Sequence, residues 1–439
     1  MEVKKVTGYL PDERPPFGKL ILFALQQILV MFPATVTVAL LTGFDVATTI
    51  FASGFATLCF ILVTRGKIPL YYGSSFSYIA AIVGITQATY GVPAAPELIS
   101  QAQFGIICSG LVSIAAGAIV SRFGLESIEK VLPPSVTGSI AIVIGLSLAG
   151  TAMASAATNP ISGVAGDANA WIAALVTLLA TILFSVYLKG VWGQLPILLG
   201  IVVGYVVSIP LGLVDFKAIT EGSLIQVPQF TLPTISWPAV LAIMPIAIAT
   251  IPESTAHLFQ LDIYVNDLAA KKGKPKYDIA NRLGSNLIGD GIGDIVASVF
   301  GGPAGTNYGE NLSTMAITRN FSVWVLGAAA ILAILISFVR PVAAAVYSIP
   351  SPVINGACIY LFGVIGAQGI AIMINRKVDM FDARNLAVIA TILVIGLGGT
   401  YAFAGGMIPA FGANLPAIAT AAAFGIVLNL ILSIGKKKE

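Results

Sequence analysis

Apolar runs of about 20 residues follow one another along almost the whole chain, separated by short breaks rich in proline, glycine or charge. Runs of that length read as helices that cross a bilayer. Divided at its breaks, the pattern predicts about fourteen segments: 17–42, 45–63, 69–86, 103–120, 131–156, 168–187, 194–214, 237–262, 284–301, 306–318, 321–338, 348–372, 385–402 and 410–434. The expected class is an all-α polytopic membrane protein. The third and tenth segments stand apart. They are short, polar and crowded with glycine, so each is expected to be part extended strand and part short helix.

Composition sharpens this picture. Of 439 residues, 57% are hydrophobic and 10% charged, against roughly 25% charged in soluble domains. Cys59, Cys108 and Cys358 lie in apolar runs at unrelated spacings and read as packing residues, neither a disulfide nor a metal set. The opening stretch, Met1–Leu20, lacks the apolar core and cleavage site of a signal peptide, so the first segment is expected to remain. The net charge of +3 carries no implication of nucleic acid, because placement matters more than the sum.

Placement is orderly. With the N-terminus in the cytoplasm, the same face receives Arg14, Lys19, Arg65, Lys67, Arg122, Lys130, Lys189, the loop Lys271–Arg282, Arg319, Arg376, Lys377 and Arg384, together with Lys4, Lys5, Lys436, Lys437 and Lys438. Of the 23 basic residues only Lys217 and Arg340 fall on the other side. Short cytoplasmic loops collect Lys and Arg, so a cytoplasmic-membrane protein with both termini inside is expected.

The halves also resemble each other. Pro134, Gly138 and Gly145 recur as Pro352, Gly356 and Gly363, and the stretch Pro69–Ile82 mirrors Pro303–Ile317. These are segments five and twelve, and three and ten, so the repeat unit is seven segments. An odd unit inverts the second copy, giving a seven-plus-seven inverted repeat. Paired interrupted helices in such a repeat point to a transporter's substrate site.

The chemistry gathers there. Gly289–Asn320 carries Asp290, Asp294, Asn307, Tyr308, Glu310, Asn311, Ser313 and Thr314 in apolar surroundings. A carboxylate at bilayer depth is costly unless it is paired or faces a polar cavity. Segment eight adds Glu253 and His257, the single histidine, four apart on one helix face. Glu253 could bind substrate or a proton while His257 orients it; the blander alternative is a buried pair that satisfies only itself. Glu310 and Asn311 would open a half-helix whose free amides can receive polar ligand groups. Phe76 offers an aromatic platform, or simple core packing with Tyr308. Asp290 reads as structural, hydrogen-bonding segment eight or ten. Two carboxylates, an aromatic plane and exposed amides suit a neutral, planar heterocycle or amide. A metal cation would want more oxygen ligands and no platform, so no metal or cofactor is expected beyond protons.

With these residues in hand, the chain resembles the nucleobase/ascorbate transporter family over essentially its whole length, and its uracil-permease branch most. The family signature Gln/Glu/Pro-Asn-x-Gly-x-x-x-x-Thr-Arg/Lys/Gly is occupied by Glu310–Arg319; the preceding Thr306-Asn307-Tyr308-Gly309, the Gly289-Asp290-Gly291 triplet and Glu253-x-x-x-His257 also match. The resemblance implies a core domain (17–120 and 237–338) and a gate domain (131–214 and 348–434). It implies substrate contact at Phe76, Glu253, Tyr308, Gly309 and Glu310, with Phe362 from the gate. Proton coupling is implied at Glu253, His257 and Glu310, with His257 paired to Glu253, and structural support at Asp290, Asn311 and Ser313. Ser313 departs from the signature glycine, and a hydroxyl at a close-packed position would shift the half-helix or add a ligand contact, leaving the exact nucleobase open.

The resulting expectation is proton-coupled import of uracil or a close pyrimidine by alternating access, with no enzymatic chemistry. A xanthine or purine symporter on the same fold is the alternative. An anion exchanger or channel would want a basic residue at the site, and the polar segments supply none. Expected partners are the nucleobase and the lipid bilayer. Gate segments rich in Gly, Ala and Ile could pack against lipid or against a second protomer, as a homodimer.

Overall fold

The computed structural model describes residues 8–124, 130–190, 192–216, 223–410 and 413–434. Lys4, Lys5, Lys217, Lys436, Lys437 and Lys438 of the charge pattern lie outside the described residues.

Helices dominate. In chain order they are α1 (Phe17–Thr42), α2 (Val46–Val63), α3 (Ile79–Thr86), α4 (Pro96–Phe123), α5 (Pro134–Ser147), α6 (Ala149–Ala156), α7 (Ala168–Tyr187), α8 (Pro196–Ser208), α9 (Trp237–Ile243), α10 (Ala247–Lys271), α11 (Leu283–Val299), α12 (Gly309–Thr318), α13 (Val323–Ser337), α14 (Arg340–Tyr347), α15 (Ser351–Asn375), α16 (Ala383–Leu393) and α17 (Ala417–Ser433). Their ends follow local chemistry. Asp45, Asp167 and Ser236 cap α2, α7 and α9 through side-chain oxygens, and proline opens α4, α5 and α8, where its missing N–H costs nothing.

Among the described residues eight helical stretches are long and apolar enough to cross a membrane alone: Phe17–Thr42, Val46–Val63, Pro96–Phe123, Pro134–Ala156, Ala168–Tyr187, Trp237–Lys271, Ser351–Asn375 and Ala383–Ala402. Four more apolar stretches, Phe76–Thr86, Pro196–Ser208, Val323–Ser337 and Ala417–Ser433, are shorter.

Two short antiparallel ladders interrupt the helices. β1 (Tyr72–Ser74) pairs with β2 (Gly305–Asn307), with Tyr72 opposite Asn307, Gly73 opposite Thr306 and Ser74 opposite Gly305. Segments three and ten are therefore strand followed by short helix. The strands begin at Tyr72 and Gly305.

Three expectations need correction. Segment eight stays helical from Trp237 to Lys271, past its expected end at 262, with a 3-10 turn at Met244–Ile246 that contains Pro245. The run 410–434 is not one helix, because its start belongs to a second hairpin, β3 (Met407–Ala410) with β4 (Ala413–Pro416). Between segments eleven and twelve the chain makes the additional helix α14.

The helices approach closely where glycine allows it. A Cβ at Gly54 of α2 would fall 2.6 Å from the Ala330 carbonyl of α13, and one at Gly117 of α4 would fall 2.7 Å from the Gly284 carbonyl of α11. Such small-residue contacts let backbones touch where no hydrophobic drive exists between helices in lipid.

Candidate functional site

The β1–β2 ladder is the scaffold of the polar centre. Extended backbone at this depth survives where its polar groups find partners within the protein. Beyond the ladder, the Tyr308 N–H donates to the Tyr71 carbonyl at 2.9 Å and the Ser75 N–H to the Ala304 carbonyl at 3.0 Å. Asp294 of α11 fastens both strands with one oxygen, accepting from the Tyr72 hydroxyl at 2.6 Å and the Gly305 N–H at 2.8 Å. With the Tyr308 N–H used up in the strand, α12 starts at Gly309 and its first amides belong to Gly309 and Glu310.

A buried polar knot joins β2 to α10 and α11. The Asn307 side-chain amide donates to Ser254 Oγ at 3.1 Å, Asn286 Oδ1 at 3.1 Å and Asp290 Oδ2 at 3.3 Å. Asn286 donates to Ser254 Oγ at 2.6 Å, and the Ser254 hydroxyl donates to Asp290. Asp290 thus bonds both segment eight and segment ten. Ser254 and Asn286 were not singled out from sequence, although Asn286, Asp290 and Asp294 recur every fourth residue on one face of α11, a polar stripe in an apolar helix.

Glu253 sits one residue before Ser254 and is half-buried, on the helix α10 that packs against α12. Glu310 lies in the first turn of α12, also half-buried. His257, one turn beyond Glu253, faces the Asn307 backbone and Gly309: a Cβ on Gly309 would lie 2.7 Å from His257 Nε2. His257 Nδ1 is buried without a hydrogen-bond partner. The expected Glu253–His257 pair is therefore not made, because the imidazole turns toward β2.

Other expected residues divide in two. Asn311 donates to both the Gln27 carbonyl at 2.9 Å and Gln27 Oε1 at 2.7 Å, tying α12 to α1. The Tyr308 hydroxyl is held by Thr35 Oγ1 and the Ser74 carbonyl, each at 3.0 Å, and its ring lies beneath Gly73. Its side chain is fastened to the scaffold. Ser313 is exposed, on the face of α12 opposite the buried Leu312 and Met315. The position is not close-packed, so the extra hydroxyl displaces nothing and supports nothing.

Phe76 is half-buried and meets Phe362 of α15 edge to face, with ring centroids 6.3 Å apart. Phe362 also lines a cavity of about 980 Å³ between α3, α6, α15 and the β3–β4 hairpin, whose wall includes Gln87, Tyr90, Thr151, Asn355, Tyr401 and Met407. Glu253 and Glu310 are not in that wall.

A sequence model of the Permease family matches residues 18–405. The uracil permease of Bacillus caldolyticus is 38% identical over 428 residues, covering 96% of this chain and 94% of its own. The uracil permease of Bacillus subtilis is 35% identical over 448 residues, covering 100% and 98%. Among solved structures, the transmembrane domain of a cyanobacterial bicarbonate transporter, BicA, aligns with a TM-score of 0.60 at 15% identity, covering 97% of this chain and 99% of that one. At that identity the likeness is one of fold.

Proposed function

The chain belongs to the Permease family, and from that premise we propose that it imports uracil, with a proton, by moving a core domain against a gate domain. The observation that carries this reading is a pair of half-buried carboxylates on two helices that pack together, Glu253 on α10 and Glu310 in the first turn of α12. Two carboxylates can accept the ring N–H groups of a pyrimidine, and the first amides of α12 can donate to its carbonyls. The names of the similar permeases support uracil as the base. A proton taken up at Glu253 or Glu310 would relieve the repulsion between them and allow a neutral substrate to bind.

The fourteen-segment inverted repeat is part of the proposal. Supporting it, helix packing repeats between the halves. α4 packs on α11 as α13 packs on α2; α7 packs on α8 as α16 packs on α17; and α15 packs on α7 as α5 packs on α16. The pairs α5–α15 and β1–β2 map onto themselves, as elements on a two-fold axis must. The core would hold α1–α4 and α9–α13, the gate α5–α8 and α15–α17, with both termini cytoplasmic.

Uptake of labelled uracil into proteoliposomes under an inward proton gradient tests the reading. Wild-type protein should accumulate uracil and Glu310→Gln should not. Accumulation of xanthine in place of uracil would discard the ligand, and accumulation unaffected by a proton uncoupler would discard the coupling.

A further inference from the structure

Residues Gly8–Glu13 run as a strap across the ends of the helices that carry the two site carboxylates. The Tyr9 N–H donates to the Arg319 carbonyl and the Phe321 N–H to the Tyr9 carbonyl, both at 2.8 Å, and the Val323 N–H reaches the Pro11 carbonyl at 3.1 Å. The Ser322 hydroxyl donates to the Glu13 carbonyl at 2.6 Å. One edge of the strap is thus zipped along the turn between α12 and α13. On its other side Lys272, just past α10, gives its ammonium to Glu13 Oε2 at 2.6 Å and to the Gly8 carbonyl at 3.0 Å. The same Glu13 oxygen accepts the Leu10 N–H at 2.9 Å. Leu10 is fully buried, Tyr9 packs edge-on against Phe23 of α1, and the Lys272 and Glu13 side chains are only 18% and 27% exposed.

All these partners lie on or beside α1, α10, α12 and α13, within the core of the proposed division; none is in the gate. The strap is therefore a brace inside one body, not a lock between two. Its position matters because of leverage. From Glu253 to Lys272 is about 28 Å of helix, and from Glu310 to Arg319 about 14 Å, at about 1.5 Å per residue. Beside the carboxylates the two arms are tied by Asn307 to Ser254; at their far ends the strap bridges them. Resting on the transport reading above, we propose that Glu13 and Lys272 are positioning residues for translocation. Their ion pair makes α10 and α12 move as one body, leaving substrate binding to the near-site ties.

The test compares Glu13→Gln, Lys272→Met and the reversed pair Glu13→Lys with Lys272→Glu. Uracil uptake in proteoliposomes gives KM and maximal rate, and uracil binding to purified protein gives Kd. Each single variant should lower the maximal rate at least fivefold with KM and Kd within twofold of wild type, and the reversed pair should recover at least half the rate. Wild-type rates in the single variants, no recovery in the reversed pair, or loss of binding together with rate would each overturn the proposal. Should wild-type liposomes take up no uracil, the substrate reading fails and hydrogen exchange judges the brace. In Glu13→Gln the amides of Tyr9, Phe321 and Val323 should lose protection together with the end of α10, and unchanged protection would overturn the brace.

Discussion

Two glycines of the centre look alike in sequence but differ in what stands over them. A Cβ at Gly73 would meet the Tyr308 ring and fall 2.8 Å from its hydroxyl, which Thr35 and Ser74 hold in place. That ring cannot yield, so Gly73→Ala should destabilise the protein by about 1–3 kcal/mol, as overpacking does, and lower its melting temperature in detergent. A Cβ at Gly309 would meet His257 Nε2, the far end of a side chain whose Nδ1 has no partner. The imidazole can swing away, so Gly309→Ala should melt close to wild type while losing uracil affinity. Equal melting losses in both would refute the distinction. Tyr308→Phe asks a related question. If the hydroxyl serves the scaffold, its removal should cost about 1 kcal/mol of stability and leave the KM for uracil within twofold. A tenfold rise in KM at unchanged stability would return Tyr308 to the ligand.

The element that most determines the site is β2, and the side chain that places it is Asn307. Asn307→Ala removes three hydrogen bonds to Ser254, Asn286 and Asp290 at once. It leaves Asp290 short of a donor in a buried setting, at a cost of about 1–3 kcal/mol. Unfolding in detergent should shift down by that amount and uptake should fall with it; a variant that melts like wild type would show the knot to be dispensable. The two-strand ladder itself was legible in the sequence, since glycine and polar residues clustered in an apolar chain can persist only as backbone that satisfies itself. The knot was half legible: Asp290 was visible as a buried carboxylate, but Ser254 and Asn286 are ordinary residues until the fold brings them together. His257 was misread because four-residue spacing places two side chains on one helix face without fixing which neighbour each prefers. The β3–β4 hairpin escaped notice because its residues are as apolar as a membrane helix, although Pro409 and Pro416 within one run were a warning.

At the scale of the molecule, the aromatic contact between Phe76 and Phe362 has a geometric consequence. A base sandwiched between two rings needs about 3.5 Å on each side, the usual van der Waals separation, or roughly 7 Å in all. The ring centroids are 6.3 Å apart and edge to face, so Phe76 and Phe362, which the proposed division assigns to core and gate, must part before a base can stack between them. The large cavity that Phe362 helps to line lies against loops that the proposed orientation puts outside. What drives the cycle then follows from charge. Uracil is neutral, so under the proposed coupling of one proton per uracil each cycle would move one positive charge inward, and a membrane potential of 100 mV, inside negative, contributes about 2.3 kcal/mol per charge. At 1.4 kcal/mol per tenfold, that corresponds to an accumulation of about fiftyfold with no pH gradient imposed. Proteoliposomes clamped by a potassium diffusion potential should therefore concentrate uracil toward that ratio, and reversing the potential should expel it. Uptake insensitive to the potential but driven by a pH gradient would mean that a second charge moves to cancel the first, and Glu253 and Glu310 would then have to exchange their proton without net charge crossing the bilayer.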